Sequence, residues 1–270
     1  MKAVVLAAGR GRRMREADPA AVLSAEQARA AAEGAKAAMP LDGDGRPFLD
    51  FVLSGLADAG VCDVCVVLAP GRHSFARRYA SLPMRRLRLS FATQAEPRGT
   101  ADAVLCAADR LGRDDFLALN ADNLYPVSAY RALQALDGQG LPVFERRRLL
   151  ESSNIPPERI AAFAAVRVGA GGMLEEIVEK PGDAEMRRLG NTDFVSMNLW
   201  RLSEPFLEAC RRVPRSVRGE RELPQAVQYA IAELGQRFRA VPCSEGVLDL
   251  SARADVAAVA ARLRDVAVNL

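Results

Sequence analysis

Residues 2–8 form a short run that is apolar, β-branched and stopped by Gly9. A run that short, bounded by glycine, reads as a buried strand. The pattern returns at residues 61–69, 87–93 and 116–120. Between these runs the apolar spacing changes to that of a helix. Phe48, Phe51, Val52, Leu56 and Ala59 share one face of residues 47–59, and Gly60 ends the stretch. Residues 101–111 are also expected to be helical, and within the alanine-rich stretch 19–38 a helix is expected from its N-cap at Ser24 to its stop at Gly34. Strands alternating with helices dictate an α/β domain with a mostly parallel sheet. Ligands of such sheets bind beyond the carboxyl ends of the strands, near a switch in strand order. The loops after residues 8, 93 and 120 are therefore where chemistry is expected.

The second half mixes its signals. Residues 160–168 and 174–179 read as a hairpin across the glycine turn at 169–172. A strand is expected at 194–202, helices at 204–212 and 223–234, short strands at 238–242 and 247–250, and a last helix at 253–268. No repeat or low-complexity linker divides the chain. The fold class expected is one α/β domain over residues 1–270, with a Rossmann-like, mixed but mostly parallel sheet flanked by helices.

Charge narrows the partners. The 37 basic and 34 acidic residues leave +3, too small an excess for a dedicated nucleic-acid binder. No apolar run is long enough to span a membrane. The short run at 3–8 lacks a signal-peptide core and cleavage site, so a cytoplasmic protein is expected. The five scattered cysteines fit reduced thiols. Cys62 and Cys65 lie three apart on an expected strand and so face opposite sides, which suits packing rather than a metal. The single histidine, His73, rules out histidine-clustered zinc sites. It follows the turn Pro70-Gly71-Arg72 and is expected in a loop. Only Lys2, Lys36 and Lys180 are lysines, so 37 − 3 = 34 basic residues are arginine. In such a chain a retained lysine marks a place where a compact ammonium cannot be exchanged for a planar fork. Lys36 and Lys180 are thereby candidates.

The loop Ala8-Gly9-Arg10-Gly11-Arg12-Arg13-Met14 follows the first strand. Its glycines let backbone N–H groups approach phosphate oxygens. A dinucleotide fingerprint would need glycine where Met14 stands, and a Walker A loop would need Gly-Lys-Ser/Thr, so it is neither. Lys36 comes next, then Met39-Pro40-Leu41, Gly43, Gly45 and Arg46-Pro47-Phe48-Leu49. With these residues the chain resembles the sugar-1-phosphate nucleotidyltransferases, the nucleoside-diphosphate-sugar pyrophosphorylases. Arg12 stands where that family has threonine, Ala35 where it has proline, and the spacer to Lys36 is longer.

The resemblance covers nearly the whole chain. Gln94-Ala95-Glu96-Pro97-Arg98-Gly99-Thr100-Ala101-Asp102-Ala103 is similar to the family's base-binding segment. A glutamine amide offers a donor and an acceptor together, and Gly99 would let a base lie against backbone. Asp122, in Asn120-Ala121-Asp122-Asn123, corresponds to the family's magnesium-binding aspartate. Glu179-Lys180-Pro181 matches the sugar-phosphate motif, and residues 191–202 resemble the sugar-facing strand, with Asn198 as a hydroxyl partner. Asp249, in Val247-Leu248-Asp249-Leu250-Ser251, corresponds to the second metal ligand, without the family's tryptophan and Gly-Thr pair. Gly219-Glu220-Arg221-Glu222-Leu223 resembles the entry to a late helix and is read as structural.

The resemblance implies that a nucleoside triphosphate, UTP or dTTP by preference, is joined to a sugar 1-phosphate, glucose 1-phosphate by default, with release of pyrophosphate. Residues 1–125 would mainly bind nucleotide and 126–270 mainly sugar phosphate. Ala8, Gly9, Gly11, Gln94, Gly99 and Thr100 would hold the nucleotide. Arg13, Lys36 and Lys180 would be catalytic, Glu179, Lys180 and Asn198 would hold the sugar phosphate, and Asp122 and Asp249 would carry Mg²⁺. No nucleic acid or membrane partner is implied, and a homo-oligomer is allowed. Two other readings compete. One is a metal-dependent glycosyltransferase using a sugar nucleotide, against which the paired Arg13 and Lys36 speak. The other is a sugar-nucleotide-binding homologue without catalysis.

Overall fold

Along the first strand, Ala3 and Val5 face one side of the sheet and Val4 and Leu6 the other, and all four are buried. Side chains alternate across a strand, so apolar residues at every position demand cover on both faces. The computed structural model describes residues 1–216 and 219–270, with the backbone alone at 73 and 74. Its strands are β1 (Lys2–Ala7), β2 (Asp63–Leu68), β3 (Arg88–Thr93), β4 (Phe116–Asn120), β5 (Asn123–Leu124), β6 (Gly140–Glu145), β7 (Ala164–Val168), β8 (Leu174–Val178), β9 (Phe194–Ser196), β10 (Leu199–Leu202), β11 (Arg239–Cys243) and β12 (Leu248–Asp249).

Among the described residues, ten strands form one sheet in the order β3-β2-β1-β4-β10-β6-β9-β7-β8, with β11 beside β6. From the pairings, β1, β2, β3, β4, β6, β7 and β11 point one way, and β8, β9 and β10 the other. The sheet is thus mixed and mostly parallel, as expected. The helix Phe48–Asp58 packs on the Val5 face. The helices Thr100–Cys106, Phe206–Arg212 and Leu223–Leu234 cover the Val4 face. Among the described residues no helix is long and apolar enough to cross a membrane.

Local chemistry sets several boundaries. Ser24 caps the helix Ala25–Ala32 through a reciprocal box, its Oγ accepting from Gln27 N at 3.2 Å and Gln27 Oε1 accepting from Ser24 N at 3.0 Å. Lys2 Nζ donates to the carbonyls of Arg110 and Leu111 at a helix C-terminus, where positive charge is favourable. The expected hairpin is β7 with β8.

Other expectations are corrected. The strand 194–202 is two, because Asn198 takes a left-handed φ of 60° between β9 and β10. The helix 101–111 breaks at Ala107 into Thr100–Cys106 and Ala108–Leu111. Ile160 belongs to the helix Pro157–Ala161, not to a strand. His73 opens the helix His73–Ala80 rather than lying in a loop.

The sequence pattern does not announce β6, since Pro142 argues against an interior strand. It is accommodated because Pro142 pairs only with Val241 of β11. On its other side β10 meets β6 at Gly140 alone, and β9 only from Phe144 onward, so no ladder needs the missing N–H.

Trp200 is the only tryptophan and is fully buried, so its emission reports unfolding. Phe116, also fully buried, lies in the same cluster. Phe116→Ala is expected to cost about 3–5 kcal/mol, read as a lower urea midpoint of the Trp200 transition.

Candidate functional site

The strand order β3-β2-β1-β4 contains the switch. The chain steps outward from β1 to β2 to β3, then returns to lay β4 on the other side of β1. Loops leaving the carboxyl ends of β1 and β4 therefore diverge and leave a crevice. A cavity of about 740 Å³ opens there. Of the thirteen expected site residues, ten line it: Ala8, Gly9, Gly11, Lys36, Gln94, Gly99, Thr100, Asp122, Glu179 and Asn198. Arg13, Lys180 and Asp249 do not.

The loop after β1 is fixed by a close backbone approach. Gly11 has φ 59°, and a Cβ there would stand 2.4 Å from the Gly34 carbonyl oxygen. Glycine at 11 thus lets the loop dock on the turn that leads to Lys36, and the two segments form one wall. Arg10 and Arg12 line the cavity from this loop. Arg13 instead donates through Nη2 to Ser251 Oγ at 3.1 Å, while Met14 is fully buried and anchors the segment.

Lys36 Nζ lies 2.9 Å from Asp122 Oδ2, just past the carboxyl end of β4. Both side chains are largely shielded, at 17% and 24% exposure, which makes the pair stronger than a surface one. After Asp122 the chain enters β5, which pairs antiparallel with β12 and sets Asn123 opposite Asp249. Leu250 N donates to the Asp122 carbonyl at 2.9 Å. This small ribbon brings the second carboxylate behind the first.

Asp249 is buried and heavily partnered. Its Oδ1 accepts from Asn123 Nδ2 and Ser251 Oγ, each at 3.0 Å. Its Oδ2 accepts from Arg159 Nη1 at 2.6 Å. Arg159 also binds Asp255 through both terminal nitrogens, at 3.0 and 3.1 Å. Burial first, then the charge of Asp122, push the Asp249 carboxyl up from the usual carboxylate range, while Arg159 and Lys36 pull it down. A carboxylate offers about four lone-pair sites, so three donors leave one, on Oδ2.

At the far end of the cavity, Gln94 Nε2 donates to the Gly99 carbonyl at 2.9 Å and to Asp102 Oδ2 at 2.8 Å. The donor half of this amide is therefore spent within the protein, and the expected donor-and-acceptor pair is reduced to an acceptor. Gly99 takes φ 108°, and a Cβ there would lie 2.2 Å from the Arg221 carbonyl oxygen. Ala101 N and Arg221 N exchange hydrogen bonds with the carbonyls of Arg221 and Arg98 across this contact. Thr100 Oγ1 accepts from Leu223 N at 2.8 Å, so its hydroxyl braces the same junction.

Toward the second half of the chain, Tyr125 Oη donates to the Met197 carbonyl at 2.5 Å and pins the turn that holds Asn198. Among the described residues, Asn198 Oδ1 finds no hydrogen-bond partner although it is buried. Lys180 is half-exposed, also at positive φ (49°), with Nζ 3.9 Å from Glu179.

Some lining residues went unread in the sequence. Arg72 lines the cavity and donates to Glu33 Oε2 at 2.7 Å. It directly follows the turn after β2, a strand end that marks such sites. Glu220 and Glu222 also line the cavity, so the 219–223 segment is wall as well as helix entry. Arg159 gives no sequence signal, because it meets Asp249 across 90 residues.

Residues 2–242 match the nucleotidyl transferase family. The chain belongs to that family. The resemblance drawn from the motifs is borne out at this level. A glucose-1-phosphate thymidylyltransferase of Streptomyces antibioticus is 28% identical over 231 residues, 86% of this chain and 57% of that protein. The chain thus spans little more than half of that relative's length. A UTP–glucose-1-phosphate uridylyltransferase of Haloferax volcanii is 25% identical over 236 residues, 86% of this chain and 84% of that protein. A crystal structure of UDP-glucose pyrophosphorylase with UDP-glucose superposes with a TM-score of 0.74 at 15% identity, covering 97% of each chain. That superposition shows the shared fold.

Arg159 neutralises two buried carboxylates at once, Asp249 and Asp255, each 6% exposed. Arg159→Leu is expected to cost about 3–5 kcal/mol, because it leaves both acids buried and unpaired. Urea unfolding followed at Trp200 measures it.

Proposed function

We propose that this nucleotidyl transferase joins a nucleoside triphosphate, UTP or dTTP by preference, to a sugar 1-phosphate, with glucose 1-phosphate as the default, and releases pyrophosphate. One observation carries the reading. A single cavity gathers the glycine–arginine loop, the Lys36–Asp122 pair, the Gln94 amide, and Glu179 with Asn198. Residues before 125 supply the first three groups and would hold the triphosphate. Residues after 126 supply the last and would hold the sugar phosphate. The names of the thymidylyl- and uridylyltransferase relatives support this substrate class.

In the proposed reaction a sugar-phosphate oxygen attacks the α-phosphorus. The bond from that phosphorus to the bridging oxygen breaks, and pyrophosphate leaves on the opposite side. No covalent enzyme intermediate is needed, so the protein's task is to position two anions and offset their repulsion. The N–H groups of Ala8, Gly9 and Gly11, with Arg10 and Arg12, cradle the triphosphate. Arg13, the third cation of that loop, is held on Ser251 outside the cavity lining and would brace the loop, so that Arg10 and Arg12 take the part expected of it on the leaving pyrophosphate. Lys36 would contact the reacting phosphates from the wall it shares with the loop after β1, and Lys180, half-exposed outside the cavity lining, would draw in the sugar phosphate. Asn198 Oδ1, buried and without a partner among the described residues, would accept from a sugar hydroxyl beside Glu179.

The donor set fits Mg²⁺. Asp122 presents a carboxylate at the cavity wall, Asp249 keeps one lone pair on Oδ2, and magnesium typically takes one or two carboxylates plus phosphate oxygens. When bound, the ion would neutralise phosphate charge in the transition state. Lys36 holds the Asp122 carboxylate in place meanwhile.

Asp122→Ala is expected to lower kcat on the order of 10²–10³ while the fold persists. Pyrophosphate release from UTP and glucose 1-phosphate in Mg²⁺ measures the rate, and the Trp200 urea transition checks the fold. Turnover like that of the unaltered protein removes Asp122 from the mechanism.

A further inference from the structure

Gln94 follows β3 and is 5% exposed, with its side chain at the cavity wall. Two acceptors converge on one of its terminal atoms, the Gly99 carbonyl at 2.9 Å and Asp102 Oδ2 at 2.8 Å. An oxygen at that position would face a carbonyl and a carboxylate together, so the atom must be the amide nitrogen. Both of its hydrogens are then used. Oε1 is the polar atom left over, and no described residue donates to it.

The Gly99 carbonyl alone would bias the amide. Asp102 adds a charged acceptor, and such bonds are roughly twice as strong as neutral ones. Asp102 also stands in the first turn of the helix Thr100–Cys106, where an acid suits the helix dipole. That role does not require its carboxylate to meet Gln94, and it would affect every ligand alike.

On the reading of this cavity as a nucleoside-triphosphate site, we propose that Asp102 is a positioning residue that locks Gln94 as a hydrogen-bond acceptor, so that the site selects a pyrimidine bearing hydrogen on N3. Uracil and thymine carry that N–H between two carbonyls. Cytosine has a lone pair on N3, which would face the Oε1 lone pairs and leave both groups desolvated and unpaired. An unsatisfied buried polar group of this kind corresponds to roughly 10- to 100-fold in affinity.

The full chain is titrated calorimetrically with UTP, dTTP, CTP and N3-methyl-UTP in Mg²⁺ without sugar phosphate, and pyrophosphate release with glucose 1-phosphate is followed in parallel. UTP and dTTP are expected to bind about 10- to 100-fold more tightly than CTP or N3-methyl-UTP. Asp102→Ala is expected to weaken UTP about tenfold while CTP changes less than about twofold. Asp102→Asn, which keeps an acceptor oxygen, should stay within about threefold of the unaltered protein for UTP.

Equal weakening of UTP and CTP in Asp102→Ala would overturn the proposal, as would an unchanged ratio. Should Asp102→Ala fail to fold, the N3-methyl-UTP comparison still decides whether Gln94 reads a donor, and Asp102→Asn whether residue 102 sets it. If the binding pattern holds but no sugar 1-phosphate supports pyrophosphate release, the catalytic reading fails and the positioning role stands. Absence of binding by every nucleotide overturns both.

Discussion

The ion pair between Lys36 and Asp122 is the contact on which the architecture of the site turns. Its two members come from segments 86 residues apart, and they meet at 2.9 Å because the sheet reverses its order between β1 and β4. The loop after β1 cannot reach Lys36 without Gly11, whose missing Cβ admits the Gly34 backbone. The carboxylate cannot sit at the crevice without β4, whose apolar run ends two residues before Ala121. Each side of the pair thus reports on one side of the switch.

Behind that pair lies a second layer in which burial makes charge expensive. Asp249 is tolerated only because Arg159, Asn123 and Ser251 meet its oxygens, and Arg159 is itself shared with Asp255. The β5–β12 ribbon sets the register of this layer. Ser251 passes it on to Arg13 through a single hydrogen bond. The loop after β1 and this acidic layer are therefore mechanically joined, although the chain separates them by more than two hundred residues.

Among the described residues three that are not glycine adopt positive φ, and two of them, Lys180 and Asn198, are residues that the motifs mark for the site. Such backbone costs of order 1–3 kcal/mol and persists where the surroundings over-determine it. At Asn198 the surroundings include the Tyr125 bond to the preceding carbonyl. The same residue interrupts what the sequence presents as one strand, so the misreading of 194–202 and the placement of a polar group at the cavity have a common cause. The glutamine at 94 is a parallel case. Its residue type announces a reader of hydrogen bonds, but which half of the amide is on offer depends on Asp102 and Gly99.

Local patterning along the chain is enough to specify the alternating strands and helices of the first half, the capping of the helix at Ser24, the hairpin in the second half, and the residue types of the site. These follow from local periodicity, glycine and proline, which act over a few residues. The motifs also marked ten of the residues that line the cavity. Long-range packing sets the rest: β6 runs inside the sheet despite Pro142, Arg13 turns to Ser251 while Arg10 and Arg12 line the cavity, and Asp249 is neutralised by Arg159. Those outcomes depend on which distant segments become neighbours, and on the cost of burying a charge without a partner. Neither quantity is carried by the spacing of residues along the chain.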